Sequence, residues 1–301
     1  MYGYLGKILF VDLSKGKVEE KEVSEDFAVK YIGGRGWAAK LLWDLTDANT
    51  NRLEPENVLI MASGPLSGLP IPGSSKTTFA SIAPATGIYG DSNVGGRIGV
   101  ALKHAGLDAI VVTGKAEKPS ILKVDNGDVK IENGSAYWGK GAITTEIELK
   151  KDLGEEFSIA AIGQAGERQV RIACITCDLG RQAGRTGMGA VMGSKNLKAI
   201  AVRGDKDIPV KDVEKLFSVA REMFEYHKKH SLLDIWQRQG TSQVVTWAND
   251  LGIIPAYNFR DAFFEEAEKI GGDLLEKKYK VVDKCCYSCW MTCGCMSFKR
   301  G

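Results

Sequence analysis

The sequence predicts an α+β fold, with a duplicated mixed-sheet N-terminal domain over residues 1–208 and the start of an all-helical domain over residues 209–301. Short apolar runs typical of strands alternate with stretches of helical spacing as far as about residue 205. A glycine–arginine loop followed by a helix and a buried strand occurs twice in this region. After Pro209 the apolar residues take the spacing of amphipathic helices.

The first region begins with a predicted hairpin, because residues 8–13 and 18–23 alternate on either side of a polar turn. Ser24 is suited to cap a helix that runs to residue 32. The Asn126–Gly127 pair predicts a tight turn, since both residues tolerate positive φ. Further predicted helices cover residues 37–45 and 142–152, and further predicted strands cover residues 58–62, 77–83, 121–124, 129–132, 158–162 and 170–175.

An internal repeat gives the domain its predicted duplication. Gly96-Arg97-Ile98-Gly99 opens one helix, and a buried strand follows over residues 108–115. Gly184-Arg185-Thr186-Gly187 opens the second, and its strand follows over residues 198–205. A duplication of this kind presents two similar loops around one pseudo-axis. It therefore suits a ligand that itself has two similar halves.

The region after residue 208 has a different character. Residues Val213, Leu216, Phe217, Ala220 and Phe224 mark one face of a long amphipathic helix. Residues 242–251 form a second predicted helix, which Gly252 ends. These spacings predict helices around a cysteine-rich segment near residue 290.

Composition excludes several classes of function. The 301 residues carry a net charge of +2, which is too small to predict binding to nucleic acid or to an anionic membrane. No apolar run approaches the roughly 20 residues that span a bilayer. The first residues are typical of a strand and turn rather than a signal peptide. A cytoplasmic protein without membrane contact is expected.

The glycine–arginine loops are candidate phosphate sites. Glycines let backbone N–H groups approach a ligand, a following helix start favours an anion, and arginine matches phosphate with a planar fork. The candidates are Arg35, Arg97 and Arg185 with their glycines, together with Lys76 in a glycine–serine loop. The alternative is that each loop is a tight turn with a solvated arginine. Three such loops in one domain, two of them in a repeat, favour the phosphate site.

Five of the seven cysteines lie within residues 285–295, which indicates a metal site rather than a disulfide framework. Cys286, Cys289 and Cys293 form a Cys-x2-Cys-x3-Cys pattern, whose short gaps suit an iron–sulfur cluster with a fourth ligand from elsewhere. Structural zinc is the alternative, although it usually takes two separated pairs or histidines. Cys174 and Cys177 are predicted to be packing residues of a strand.

Taken in order, these motifs resemble the tungsten-containing aldehyde ferredoxin oxidoreductase family. The resemblance covers the whole chain, as the family's N-terminal domain plus the start of its helical C-terminal region. It rests on Gly33-Gly34-Arg35-Gly36, Ser63-Gly64-Pro65-Leu66-Ser67-Gly68, Asn93-Val94-Gly95-Gly96, Ala183-Gly184-Arg185, Gly189-Ala190-Val191-Met192-Gly193-Ser194-Lys195 and the cysteine triplet. It implies a duplicated α+β domain that cradles two pterins around one tungsten or molybdenum atom.

The resemblance also implies site residues. The pterins and their phosphates would contact Lys76, Asn93, Gly95, Arg181, Gln182, Gly184 and Arg185. Backbone carbonyls at Asn93 and Gln182 would bind a magnesium ion (Mg2+) that bridges the phosphates. Cys286, Cys289 and Cys293 would ligate a [4Fe-4S] cluster.

The reaction implied is oxidation of a small aldehyde to a carboxylic acid, with electrons passed through the cluster to ferredoxin. Family members are considerably longer, and no catalytic acid or base is predicted within these 301 residues. Either these residues are a fragment of a longer protein, or a second chain completes the site; a homo-oligomer stays open as well. Two other functions stay open as well: a relative acting on another substrate such as an aromatic thioester, and a non-catalytic iron–sulfur electron-transfer or scaffold subunit.

Overall fold

The computed structural model describes residues 1–297, which fall into two compact units. The first unit contains Met1–Leu69 and Ser74–Asp212. The second contains Pro70–Gly73 and the chain from Val213 onward.

The first unit contains two sheets and their covering helices. Its strands are β1 (Lys7–Asp12), β2 (Lys17–Glu22), β3 (Leu59–Ser63), β4 (Thr77–Ile82), β5 (Tyr89–Val94), β6 (Ala109–Thr113), β7 (Ser120–Asp125), β8 (Asp128–Asn133), β9 (Ser158–Ala161), β10 (Ile175–Cys177), β11 (Arg181–Ala183) and β12 (Leu197–Arg203). Its helices are α1 (Glu25–Tyr31), α2 (Arg35–Leu45), α3 (Ile98–His104), α4 (Ala142–Leu153), α5 (Gln164–Glu167) and α6 (Met188–Ser194), with a 3-10 turn at Ser135–Tyr137.

The two sheets share one topology, which confirms the predicted duplication. One sheet has the order β2-β1-β6-β3-β4-β5, and the other has the order β8-β7-β12-β9-β10-β11. In both copies, the first two strands form a hairpin, and the first strand pairs parallel with the sixth and last strand of the copy. The remaining neighbours in each sheet are antiparallel. The sequence repeat had covered only a loop, a helix and one strand of each copy. The structure extends it to six strands.

The hydrophobic core has three layers: one lies between the two sheets, and one lies on the outer face of each sheet. Phe79 of one sheet, Ile200 of the other and Met188 of α6 belong to one buried cluster, so the sheets enclose the main core. Trp37 of α2 packs with the outer face of the first sheet. Leu149 of α4 does the same on the second sheet. Both glycine–arginine loops precede helices of the central layer, α3 and α6.

Three lysine side chains are wholly buried in this unit, and each has polar partners. Lys103 forms a buried ion pair with Asp108, whose other oxygen accepts hydrogen bonds from the N–H groups of Leu5 and Gly6. Lys198 pairs with Glu167 at 2.5 Å. The Lys195 ammonium instead donates to three backbone carbonyls, those of residues 55, 57 and 114.

The strand predicted at residues 170–175 is wrong for most of its length, because β10 begins only at Ile175. The preceding segment bonds to α6 instead of to a neighbouring strand, through the Gly189 N–H and the Ala173 carbonyl. Ile172 is 76% exposed, so its apolar character is not a sign of a buried strand. Cys177 is fully buried as predicted, whereas Cys174 is half-buried and precedes the strand.

The second unit is mainly helical, with a small hairpin near its end. Its helices are α7 (Val213–Lys228), α8 (Leu233–Gln239), α9 (Val244–Asp250) and α10 (Gly272–Leu274), with 3-10 turns at Gly240–Gln243 and Ala267–Lys269 and a π-helical turn at Leu275–Tyr279. Strands β13 (Lys280–Lys284) and β14 (Gly294–Ser297) pair antiparallel. The hairpin was not predicted, and the cysteine motif lies in the loop between its strands.

Candidate functional site

The two edge strands β5 and β11 lie side by side, and this brings the glycine–arginine loops of both copies together. Gly90 of β5 makes the close approach feasible. A Cβ atom there would lie 2.9 Å from the Cβ of Thr186, so a larger residue would force the strands apart. The pseudo-axis inferred from the repeat therefore passes near the equivalent glycine–arginine loops of the two copies.

Two crossed hydrogen bonds join the loops. The Arg97 N–H donates to the Asp178 carboxylate at 2.5 Å, and the Arg185 N–H donates to the Ser92 hydroxyl at 3.0 Å. Each bond runs from the loop of one copy to the hairpin of the other. Both loop N–H groups therefore have acceptors within the chain, and the anionic Asp178 oxygen occupies the position that a phosphate oxygen would take at the Arg97 N–H. The exposed Arg97 and Arg185 side chains are the groups of these loops whose chemistry fits a phosphate.

A polar network fixes the first copy's side of the site. The Arg35 guanidinium donates to Asp91 at 2.7 Å, and Asp91 also accepts from the Asn93 amide at 3.2 Å. The amide oxygen of Asn93 in turn accepts from the Thr78 hydroxyl at 2.8 Å. Burial, and then the negative charge of Asp91, raise the pKa of nearby Tyr89 to about 12, so the phenol stays neutral.

The structure places the predicted pterin contacts at the ends of these edge strands. Lys76 is exposed and directly precedes β4, whose first residue pairs with Val94, and the buried Gly95 follows Val94. Asn93 is an exposed residue of β5, and Gln182 is an exposed residue of β11. Arg181 is half-buried, whereas Gly184 and Arg185 are exposed in the loop that follows β11. The seven residues therefore lie on two neighbouring edges, and their roles as ligands stay predictions.

Several residues of the site were missed in the sequence. Ser92, Asp91 and Asp178 were not identified because none of them lies in a glycine–arginine motif. β5 itself was not predicted, since Tyr89–Val94 contains glycine and three polar residues. The turn at Asp178 and Leu179 has positive φ at both residues, at 48° and 54°. Two consecutive non-glycine residues in that region are unusual, and this strain is the kind found at functional sites.

Asp178 gives a direct test of the crossed bonds. We expect Asp178→Ala to lower the free energy of unfolding by about 2 kcal/mol, because a charge-assisted hydrogen bond is lost and alanine disfavours positive φ. Asp178→Asn keeps an acceptor oxygen and tolerates positive φ, so it should lose less than half as much. Urea unfolding of the three proteins measures the difference. Equal losses in both variants would show that the oxygen contributes nothing.

The cysteine loop forms the second candidate site. Cys286 and Cys289 are half-buried, and Cys293 is exposed. Ser288 and Thr292, each directly before a cysteine of the motif, have positive φ at 51° and 43°. Backbone that alternates between right-handed and left-handed conformations turns its N–H groups towards an anion, as around many iron–sulfur clusters. Donor chemistry and backbone therefore fit an iron–sulfur cluster.

The side chains of the cysteine loop fit a metal site less well than its backbone does. Within residues 1–297, no three His, Cys, Asp or Glu side chains form a group that is able to hold a metal ion. The three thiols of the motif are thus not brought together as a ligand set. Their assignment as cluster ligands stays a prediction.

Comparison with known families identifies the family to which the chain belongs. Residues 8–204 match the aldehyde ferredoxin oxidoreductase N-terminal domain, and residues 218–300 match domains 2 and 3 of aldehyde ferredoxin oxidoreductase. The chain belongs to the aldehyde ferredoxin oxidoreductase family. This confirms the resemblance found in the motifs and the α+β class of the first unit.

Individual relatives of the family give the extent of the match. The chain is 40% identical over 300 residues to a tungsten-containing aldehyde ferredoxin oxidoreductase of Pyrococcus abyssi, covering 99% of the chain and 49% of that relative. It is 40% identical over 296 residues to the one of Pyrococcus furiosus, covering 98% and 49% respectively. The chain therefore spans about half the length of the curated relatives it matches.

A solved structure extends the aldehyde ferredoxin oxidoreductase comparison to the fold. The active-site complex BamBC of benzoyl coenzyme A reductase, in complex with 1,5-dienoyl-CoA, matches with a TM-score of 0.87 and 32% identity. The match covers 100% of this chain and 48% of that chain.

Among the helices that the structure describes, none is long and apolar enough to cross a membrane.

Proposed function

We propose that this chain carries the pterin-binding part of a tungsten or molybdenum bis-pterin oxidoreductase that converts a small aldehyde into a carboxylic acid. When bound, the metal–pterin group supplies two-electron oxidation with oxygen from water, and an iron–sulfur cluster supplies one-electron transfer. The chain's own residues bind and orient these groups. The observation that carries the proposal is the meeting of the two glycine–arginine loops, each of which donates a hydrogen bond to the hairpin of the other copy.

The duplicated loops suit a ligand with two equal halves. Each copy offers an arginine side chain and the start of a central helix, so each half would bind one pterin phosphate. In the first copy, Lys76 directly precedes β4, and Asn93 lies on the neighbouring strand β5, which Gly95 follows. In the second copy, Arg181 and Arg185 flank Gln182 and Gly184. Backbone carbonyls of Asn93 and Gln182 would serve a bridging Mg2+.

The second unit would hold the [4Fe-4S] cluster with Cys286, Cys289 and Cys293. A fourth ligand, the substrate pocket and the proton-handling residues would come from elsewhere in the complete protein, either the same polypeptide or another chain. Ferredoxin as the electron acceptor follows from the name of the relatives, which supports this part of the proposal. A cytoplasmic location belongs to the proposal as well, together with either a homo-oligomer or a completing second chain.

Elemental analysis of the anaerobically purified protein tests the proposal. We expect tungsten or molybdenum with about two pterins and about four irons per chain. The pterin is measured by fluorescence after oxidation, and the metals by mass spectrometry. Iron without pterin would favour the alternative of an electron-transfer subunit. Zinc alone would contradict both the pterin site and the iron–sulfur assignment.

Arg185 offers a residue-level test of the phosphate site. We expect Arg185→Ala to lower pterin and tungsten content at least tenfold, because one charge-assisted fork to phosphate is lost from an exposed side chain. Arg168→Ala removes an exposed arginine of the same copy outside the loop, so it is the matched control. Unchanged pterin content in Arg185→Ala, with normal folding, would rule out its phosphate role.

A second candidate reaction is favoured by the solved relative. The benzoyl coenzyme A reductase complex matches the whole chain, and its substrate class is an aromatic thioester. The same pterin-binding residues would then serve a reduction instead of an oxidation. Assays of the tungsten-loaded protein with aldehydes and with benzoyl coenzyme A, each with a matched redox dye, distinguish the two reactions.

A further inference from the structure

Buried polar atoms without partners gather at the cysteine loop. In the second unit, as far as the structure describes it, three buried side-chain nitrogen or oxygen atoms have no hydrogen-bond partner: Trp290 Nε1, Thr292 Oγ1 and His227 Nδ1. Trp290 and Thr292 lie between Cys289 and Cys293 of the motif. This small loop therefore holds unusually many unsatisfied polar atoms.

The Trp290 side chain is anchored on α7. Its ring meets Phe224 edge-on at a centroid distance of 4.7 Å, and it lies 5.7 Å from the His227 ring. The Trp290 carbonyl accepts a hydrogen bond from Gln237 Nε2 at 2.9 Å. Gly240 approaches the Cys293 carbonyl so closely that a Cβ atom would lie 2.5 Å from the oxygen. These contacts hold the cysteine loop in place at Trp290 and at Cys293.

The unpartnered atoms of Trp290 and Thr292 are hydrogen-bond donors that lack an acceptor. An indole N–H can only donate a hydrogen bond, and a threonine hydroxyl can donate one. A buried donor without an acceptor loses its hydrogen bond to water without replacement, so native proteins rarely leave one. Ionised thiolates and inorganic sulfide are acceptors, and the neighbouring cysteines would bring them into this loop. One ligand would therefore satisfy both Trp290 and Thr292.

We propose that Trp290 Nε1 and Thr292 Oγ1 donate hydrogen bonds to sulfur atoms of the iron–sulfur cluster and thereby raise its reduction potential. This inference rests on the proposed cluster at Cys286, Cys289 and Cys293. Reduction adds negative charge to the sulfurs, so a donor stabilises the reduced cluster more than the oxidised one. Hydrogen bonds to sulfur are among the factors that set cluster potentials. Both side chains are positioning residues, since they tune the cluster without ligating it.

The experiment compares matched variants of the anaerobically purified holoprotein. Trp290→Phe removes the N–H and keeps an aromatic ring. Thr292→Val removes the hydroxyl and keeps the branched shape at a position of positive φ. Thr292→Ser restores the hydroxyl, and Trp247→Phe removes an exposed indole of the same unit as a control. The readouts are iron and sulfide content, the potential from an EPR-monitored redox titration, and proton hyperfine couplings of the reduced cluster in H2O and D2O.

We expect Trp290→Phe and Thr292→Val to keep the cluster and to shift its potential to more negative values. A tenfold loss of reduced cluster at a fixed potential corresponds to about 59 mV for one electron. Each variant should also lose an exchangeable-proton coupling, whereas Thr292→Ser and Trp247→Phe should behave as the wild type. A wild-type protein without iron and sulfide would overturn the proposed cluster itself.

The inference about the donors fails in two other ways. Intact clusters with unmoved potentials in both Trp290→Phe and Thr292→Val would overturn it while leaving the cluster in place. If a variant loses its cluster, the wild-type couplings decide the question. A wild-type spectrum that is identical in H2O and D2O would show that no such donor contacts the cluster.

Discussion

Cys289→Ser is expected to abolish the iron–sulfur cluster, with loss of the visible absorbance and of almost all bound iron. Cys289 is the middle ligand of the predicted triplet, and its N–H donates to the Cys286 carbonyl at 3.1 Å, so the two residues share one turn. Soft thiolates select iron–sulfur clusters, whereas a hydroxyl oxygen is a harder and less acidic ligand. Two remaining thiols of the motif do not suffice to hold four irons. Iron and sulfide assays together with the visible spectrum measure the loss.

Cys285→Ser is the matched control, because Cys285 is an exposed thiol next to the motif. We expect it to leave iron content and spectrum unchanged. If Cys285→Ser removes the cluster and Cys289→Ser does not, the ligand triplet has been assigned to the wrong cysteines. If both variants keep bound metal and the metal is zinc, the alternative raised by the cysteine spacing is correct.

The duplication was predictable because its evidence is local. Glycine–arginine loops before helices, and apolar runs after them, keep their pattern in both copies. The full extent of each copy was not predictable in the same way. β5 is a polar edge strand, and Arg181–Ala183 is only three residues long, so neither has the apolar alternation that marks a strand. Their pairing depends on partners distant in sequence.

The candidate site shows the same division. The predicted residues Asn93, Gly95 and Arg185 were found from motifs, and the structure does place them on adjoining edges. Asp178 could not be found, since its role depends on a contact with Arg97 that is 81 residues away in sequence. The error at residues 170–175 has a related cause. Apolar side chains there were taken as a strand, although the segment packs on α6 and leaves Ile172 exposed.

Lys195 joins the two copies, and its replacement should have the largest effect on stability. It follows α6 of the second copy, and its ammonium donates to three carbonyls of the first copy: Pro55 at 3.1 Å, Asn57 at 2.5 Å and Gly114 at 3.2 Å. The side chain is fully buried. Lys195→Met keeps the length of the chain and removes all three bonds. We expect a loss of about 3 kcal/mol at pH 7, because buried carbonyls lose their donor.

The pH dependence of this loss tests the cause. Burial lowers the pKa of Lys195 to about 8, from 10.5 for the exposed side chain. Between these two values the unfolded chain binds more protons than the folded chain, so the stability contributed by Lys195 rises with pH. It is smallest below pH 8 and complete above pH 10.5. The stability gap between wild type and Lys195→Met should therefore widen on going from pH 7 to pH 10, by on the order of 3 kcal/mol at most.

Urea unfolding at pH 7 and pH 10 measures this gap, with Lys115→Met as the control for an exposed lysine of the same unit. Taking the difference between two proteins removes the titration of every other group. A gap that narrows as pH rises would mean that the three carbonyls hold the ammonium more strongly than burial disfavours it. The contact would then act as a charged clamp between the copies. A widening gap would instead show that burial disfavours the charged ammonium, so that Lys195 stabilises the contact between the two copies most when its amine is neutral.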